Sequence, residues 1–161
     1  MRILAIGINY WPEETGIAAV NTGWCEYLAA AGHDVTVCTG FPYYPAWRVT
    51  DGYRGRVFGS EMRSGVRVLR SYLYVPRHVT TARRALHEGT FVASSCLRAM
   101  ANGRPDFLFT LSPPLGLGLS SAVLGALWGI PYVFHVLDLQ PDAALELRML
   151  RRGAATGALY A

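Results

Sequence analysis

Three segments of the chain hold residues whose types and spacing could do chemistry. The first is Tyr10 to Ile17. Gly16 stands at the head of a helix, where backbone N–H groups of Thr15 and Ile17 can approach an anionic ligand closely. Glu13 and Glu14 beside it could accept hydrogen bonds from sugar hydroxyls, or could form a solvated pair. The second is His135-x-x-Asp138 at the end of an apolar run, where the imidazole could donate to a hydroxyl or satisfy a backbone carbonyl. The third is Tyr43-Tyr44-Pro45-Ala46-Trp47, whose rings could stack on a sugar or a lipid chain, or cap the core.

Composition excludes several other chemistries. All fifteen basic residues are Arg and none is Lys, so neither a phosphate-binding P-loop nor a Lys Schiff base can be built. Cys25, Cys38 and Cys96 form no C-x-x-C pair and lie in apolar surroundings, which reads as buried free thiols. His135 and Asp138 lack further ligands nearby and no D-x-D pair occurs, so no metal site and no cofactor is expected. The net charge of +4 is spread without a basic block, which argues against nucleic acid. Arg77, His78, Arg83 and Arg84 could still face anionic headgroups at a membrane surface, or be a solvated helix face. The longest apolar stretch, Leu115 to Phe134, is broken by glycines and Pro131 and divides into a helix and a strand.

The elements that would position these residues alternate. Ile3 to Ile8 reads as a central parallel strand. Ala18 to Ala31 reads as a helix with an apolar face of Val20, Trp24, Leu28 and Ala31, stopped by Gly32. Val35 to Thr39 is a strand, Gly40 to Gly65 a long loop, and Val66 to Val75 a strand ended by Pro76. Thr80 to Asn102 reads as a helix facing inward with Ala82, Ala85, Leu86, Val92, Cys96, Leu97 and Met100, and turning His87, Ser94 and Ser95 outward. Strand 106–110, helix 115–128, strand 132–136 and a helix from about 141 follow, and 151–161 reads as an interrupted segment. The alternation predicts an α/β fold, a Rossmann-like parallel sheet flanked by helices, in one domain over 1–161. Gly116-Leu117-Gly118 lacks the third glycine and the position of a dinucleotide fingerprint, and reads as helix packed closely on the sheet. With Thr39-Gly40 where an acid should end the second strand, a nucleotide-dependent oxidoreductase ranks low.

Several motifs in order resemble a known family. Asn9-Tyr10-Trp11-Pro12-Glu13-x-Thr15-Gly16-Ile17 and Gly32-His33-Asp34-Val35-x-Val37 are similar to the opening of family-4 GT-B glycosyltransferases. Phe41-Pro42-Tyr43-Tyr44-Pro45-x-Trp47, Leu73-Tyr74-Val75-Pro76, Leu86-His87-x-Gly89-x-Phe91 and His135-Val136-x-Asp138-x-x-x-Asp142-Ala143 narrow this to the colanic-acid-biosynthesis type. The resemblance implies the N-terminal, acceptor-side half of a retaining, metal-independent transferase. It implies transfer from a nucleotide-diphosphate sugar to a lipid-linked glycan, in surface-polysaccharide synthesis, at the cytoplasmic face of the membrane. His135 and Asp138 then line the catalytic cleft. Glu13, Thr15, Gly16, Ile17, Tyr43, Tyr44 and Trp47 bind substrate. The donor-binding C-terminal half is absent from these 161 residues, so the chain alone is expected to transfer no sugar. A truncated or split half that only binds acceptor or partner is the alternative.

Overall fold

The computed structural model describes residues 1–137. The elements run β1 (Arg2–Ile6), α1 (Ile17–Ala30), β2 (Asp34–Gly40), β3 (Phe58–Arg63), β4 (Val66–Ser71), α2 (Thr81–Asn102), β5 (Phe107–Leu111), α3 (Gly116–Trp128) and β6 (Tyr132–His135). The strands form one sheet in the order β3-β4-β2-β1-β5-β6, parallel throughout except for β3. This is the Rossmann-like α/β architecture that the alternation of elements predicts. The order reverses at β1, between β2 and β5, which opens a crevice at the carboxyl ends of the strands.

Successive strand residues point to opposite faces, and the core divides accordingly. Ile3, Ala5, Val35, Val37, Val66 and Val68 pack with Cys25 of α1 on one face. Leu4, Ile6, Cys38, Leu69 and Leu108 pack with Phe91 of α2 and Leu117 and Leu124 of α3 on the other. Between β2 and β4 the chain runs through the long segment 41–57 and the antiparallel strand β3. That strand lies inside what the sequence reads as loop. Phe58-Gly59-Ser60-Glu61-Met62-Arg63 has no apolar run because this edge strand only half-buries alternate residues. β4 stops at Ser71, short of Val75, since the chain leaves the sheet before Pro76.

Both long helices sit one position away from their most apolar stripe. In α1 the buried residues are Ala18, Asn21 and Cys25, while Val20 and Trp24 are 38% and 46% exposed. In α2 they are His87, Phe91, Ser94, Ser95 and Ala99, and Leu86, Leu97 and Met100 face outward. Small and polar residues let the helix axes approach the sheet. Asn21 is so close to β1 that a Cβ on Gly7 would lie 2.5 Å from its Nδ2. Its amide donates to the Asn9 carbonyl at 3.0 Å, which satisfies it in the core. Gly32 ends α1 as expected, at φ 87°, with His33 N donating to Leu28 O and Gly32 N to Ala29 O.

The glycines of α3 are packing residues. A Cβ on Gly118 would meet the Phe134 ring at 2.8 Å, and one on Gly125 the Tyr132 ring at 2.6 Å. Gly89, in the middle of α2, has nothing within 4 Å of an added Cβ. The expected outcome in urea unfolding is opposite in sign. Gly118→Ala lowers stability by about 1–3 kcal/mol through overpacking. Gly89→Ala raises it by about 0.5–1 kcal/mol by restricting the unfolded chain.

Candidate functional site

A cavity of about 520 Å³ opens at the carboxyl edge of the sheet. The loop after β1 supplies Asn9, Thr15 and Gly16, the loop after β2 supplies Tyr43, Tyr44 and Trp47, and α2 supplies Arg84, His87 and Glu88. Pro113 and Pro114 after β5, and Leu137 after β6, close the far side.

Six of the sequence-derived candidates meet here: Thr15, Gly16, Ile17, Tyr43, Tyr44 and Trp47 all line the cavity. Gly16 is the N-cap of α1 at φ 59°, ψ −133°, a conformation that favours glycine although nothing crowds its Cα. No side chain caps this helix and its first turn holds no acidic residue. The positive end of α1 therefore meets the cavity with no acidic side chain in its own first turn.

Glu13 has a different place. It is buried beneath the cavity rim, and Glu14 alone is exposed, so the two do not form a solvated pair. Glu13 Oε1 accepts from the backbone N–H of Tyr43 at 2.6 Å and of Tyr44 at 2.7 Å, and Oε2 accepts from Asn9 Nδ2 at 2.7 Å. Burial pushes its pKa up, and the Tyr44 and Tyr43 amides, Asn9 and Arg70 oppose that shift. Its oxygens are taken by the loops that it joins. Its contribution to the site is to position Tyr43 and Tyr44.

Trp47 has φ 48°, the left-handed region that a bulky side chain rarely enters. Such strain, of order 1–3 kcal/mol, is characteristic of functional loops. Tyr43 stands edge-on to Trp47 with ring centroids 5.5 Å apart, giving an aromatic wall.

His135 is not brought into the cavity. It ends β6 half-buried, with its ring edge-on to Phe109 at 6.2 Å, and its carbonyl accepts from Ser112 N. Register pairs Phe109 with Ala5, which packs on the α1 side of the sheet. Two residues on, it is Leu137 that reaches the cavity. Asp138 lies outside the described residues.

The residue that the sequence reading missed is His87, turned outward there because the apolar residues of α2 suggest another face. The ring is 2% exposed and packs against Tyr43 at 4.6 Å and Trp47 at 5.2 Å. Nδ1 lies 2.6 Å from the Tyr74 carbonyl, so Nδ1 carries the proton and donates. Nε2 is then a bare acceptor, and it has no partner among the described residues. Burial is the main cause that lowers the His87 pKa, with the Tyr74 carbonyl and Glu88 opposing and Arg84 reinforcing. The signal was present in the spacing His87, Phe91, Ser94/Ser95, Ala99, which is a helical face that starts on a histidine.

Among the described residues no group of three His, Cys, Asp or Glu side chains is placed to hold a metal ion. No helix among them is long and apolar enough to cross a membrane.

Two pH measurements test the His87 assignment. By NMR its ring protons are expected to titrate below the ordinary 6.5. The unfolded chain then binds the proton more readily, so this group's contribution to stability is full above pH 6.5 and falls as pH drops toward the folded midpoint. Glu13, shifted up from the ordinary 4.5, acts with the opposite sign, its contribution being lost as pH rises above that value. The difference in urea midpoint between wild type and His87→Asn, followed from pH 7.5 to 5.5, isolates the histidine. A difference that does not change with pH would show that the His87 pKa is the same in the folded and unfolded chain, and one that grows as pH drops would show that it is raised by folding.

The family described as "Glycosyl transferase 4-like domain" matches residues 15–160. A protein of Escherichia coli (strain K12) whose name assigns it to colanic acid biosynthesis as a glycosyl transferase, WcaI, is 39% identical over 155 residues. That alignment covers 95% of this chain and 38% of the relative, so the chain spans well under half of the protein it matches.

Proposed function

Since the chain belongs to the glycosyl transferase 4-like family, we propose that it forms the acceptor-side wall of a retaining sugar transferase in surface-polysaccharide synthesis. The donor is a nucleotide-diphosphate sugar and the acceptor a lipid-linked glycan, met at the cytoplasmic face of the membrane. The observation that carries this reading is the cavity with two unlike walls. On one side the uncapped N-terminus of α1 at Gly16 offers N–H groups and a positive dipole to a phosphate. On the other, Tyr43, Tyr44 and Trp47 offer ring faces to a sugar. His87 packs against Tyr43 and Trp47 from behind and fixes where those rings stand.

The charge that develops on a departing nucleotide diphosphate needs positive groups and oriented donors around it. The helix terminus supplies part of that from this wall. The facing wall would come from a second half, consistent with the 38% of the relative that the chain spans.

The expected outcome for the 161-residue chain by itself is binding without turnover. Octyl glucoside, as an acceptor analogue, shifts the Tyr43, Trp47 and His87 resonances. Trp47→Ala weakens that binding by about tenfold, the loss of roughly 1–1.5 kcal/mol of ring contact. No sugar is transferred from any nucleotide sugar. Sustained turnover by the isolated chain would overturn the two-wall reading.

A further inference from the structure

A second hollow, of about 500 Å³, adjoins the first across Trp47, which lines both. Its other walls are Ala46, Arg48, Arg54 and Arg77. The three arginines come from two segments, the loop after β2 and the stretch before α2, and all are exposed. Arg54 is paired with Asp51 at 3.0 Å and donates to the Val49 carbonyl. Arg48 and Arg77 have no side-chain partner among the described residues. Three guanidiniums and one carboxylate leave this hollow with a charge of +2 (three minus one). Like charges gathered without a counter-ion repel one another, and a bound anion relieves that repulsion. Guanidinium forks match phosphate oxygens two at a time, and Arg is the residue suited to that geometry.

From this we infer that Arg48, Arg54 and Arg77 form a phosphate subsite that takes the phosphate or diphosphate group of the acceptor, at the mouth of the sugar cavity. The inference rests on the acceptor reading above for what fills the neighbouring cavity, but not for the anion itself. Trp47 is the partition between the two. Its ring faces the sugar side through Tyr43 and His87, and its strained backbone leads directly into Arg48. An acceptor with a sugar on one side of a phosphate would occupy both hollows at once. Ala46, Arg48, Arg54 and Arg77 are all exposed, so the remainder of such a molecule can pass outward.

The test uses the 161-residue chain and four probes: inorganic pyrophosphate, geranyl diphosphate, and vesicles of phosphatidylglycerol or of phosphatidylcholine. Binding of both soluble diphosphates is expected, and it weakens as salt is raised because the site is exposed. Arg48→Gln with Arg77→Gln loses about tenfold or more of that affinity, in line with the loss of two charge-assisted contacts. Arg67→Gln with Arg104→Gln removes the same charge from elsewhere on the surface and leaves it unchanged. Circular dichroism confirms that both double variants fold. Equal diphosphate binding by wild type and Arg48→Gln/Arg77→Gln would overturn the subsite. So would binding confined to phosphatidylglycerol vesicles, which would assign these arginines to a membrane surface. Loss of diphosphate binding in the Arg variant, together with octyl glucoside binding that Trp47→Ala does not affect, would uphold the subsite and sink the sugar-cavity reading instead.

Discussion

The cavity exists because a buried carboxylate holds two loops together. Glu13 leaves β1's exit loop and accepts both amides at the start of the aromatic segment, Tyr43 and Tyr44. Arg70 works close by with the opposite charge. It is 1% exposed, donates to the carbonyls of Trp11 and Gly40, and pairs with Glu61 at 2.6 Å. Each buried charge meets several hydrogen-bonding partners, which offsets the cost of taking it out of water. Between them they tie the exits of β1 and β2 to β3 and β4. A lysine could not replace Arg70, since the contacts to Trp11, Gly40 and Glu61 need a planar fork with donors in three directions.

That arrangement explains which parts of the fold were legible from sequence. The buried parallel strands announce themselves as an apolar run from Ile3 to Ile8 and a β-branched run from Val35 to Thr39, because both faces are covered. The topological rule for parallel sheets then points to the loops at their carboxyl ends. Thr15, Gly16, Ile17, Tyr43, Tyr44 and Trp47 do converge there. The helices were harder, because side chains that pack closest on the sheet are small or polar. Asn21, Ser94, Ser95 and Ser121 are buried with their hydrogen bonds made, so hydrophobic periodicity selects the wrong stripe. His87 was lost for the same reason.

Glu13 and β3 mark a second limit. Whether a loop carboxylate is solvated or buried depends on donors from a loop thirty residues away, and nothing within the first loop encodes that. β3 has no sequence signal because its stability comes from pairing with β4, where Gly59 faces Arg70 and Glu61 faces Val68. His135 shows the converse. A histidine at a strand end suggests a cleft, yet the register of β6 turns its ring toward Phe109.

The antiparallel edge also bears on how molecules of this protein meet one another. An open parallel sheet ends in unpaired amides and carbonyls that can recruit a strand from a neighbour. Here one end finishes in a six-residue strand with Glu61 and Arg63 on it and a glycine within it. Arg98 reaches from α2 to occupy the Gly59 carbonyl, and its guanidinium lies 5.4 Å from the Phe58 ring. Strand exchange between copies is discouraged along that border. At high concentration the protein is thereby protected on that flank from growing into a continuous intermolecular sheet.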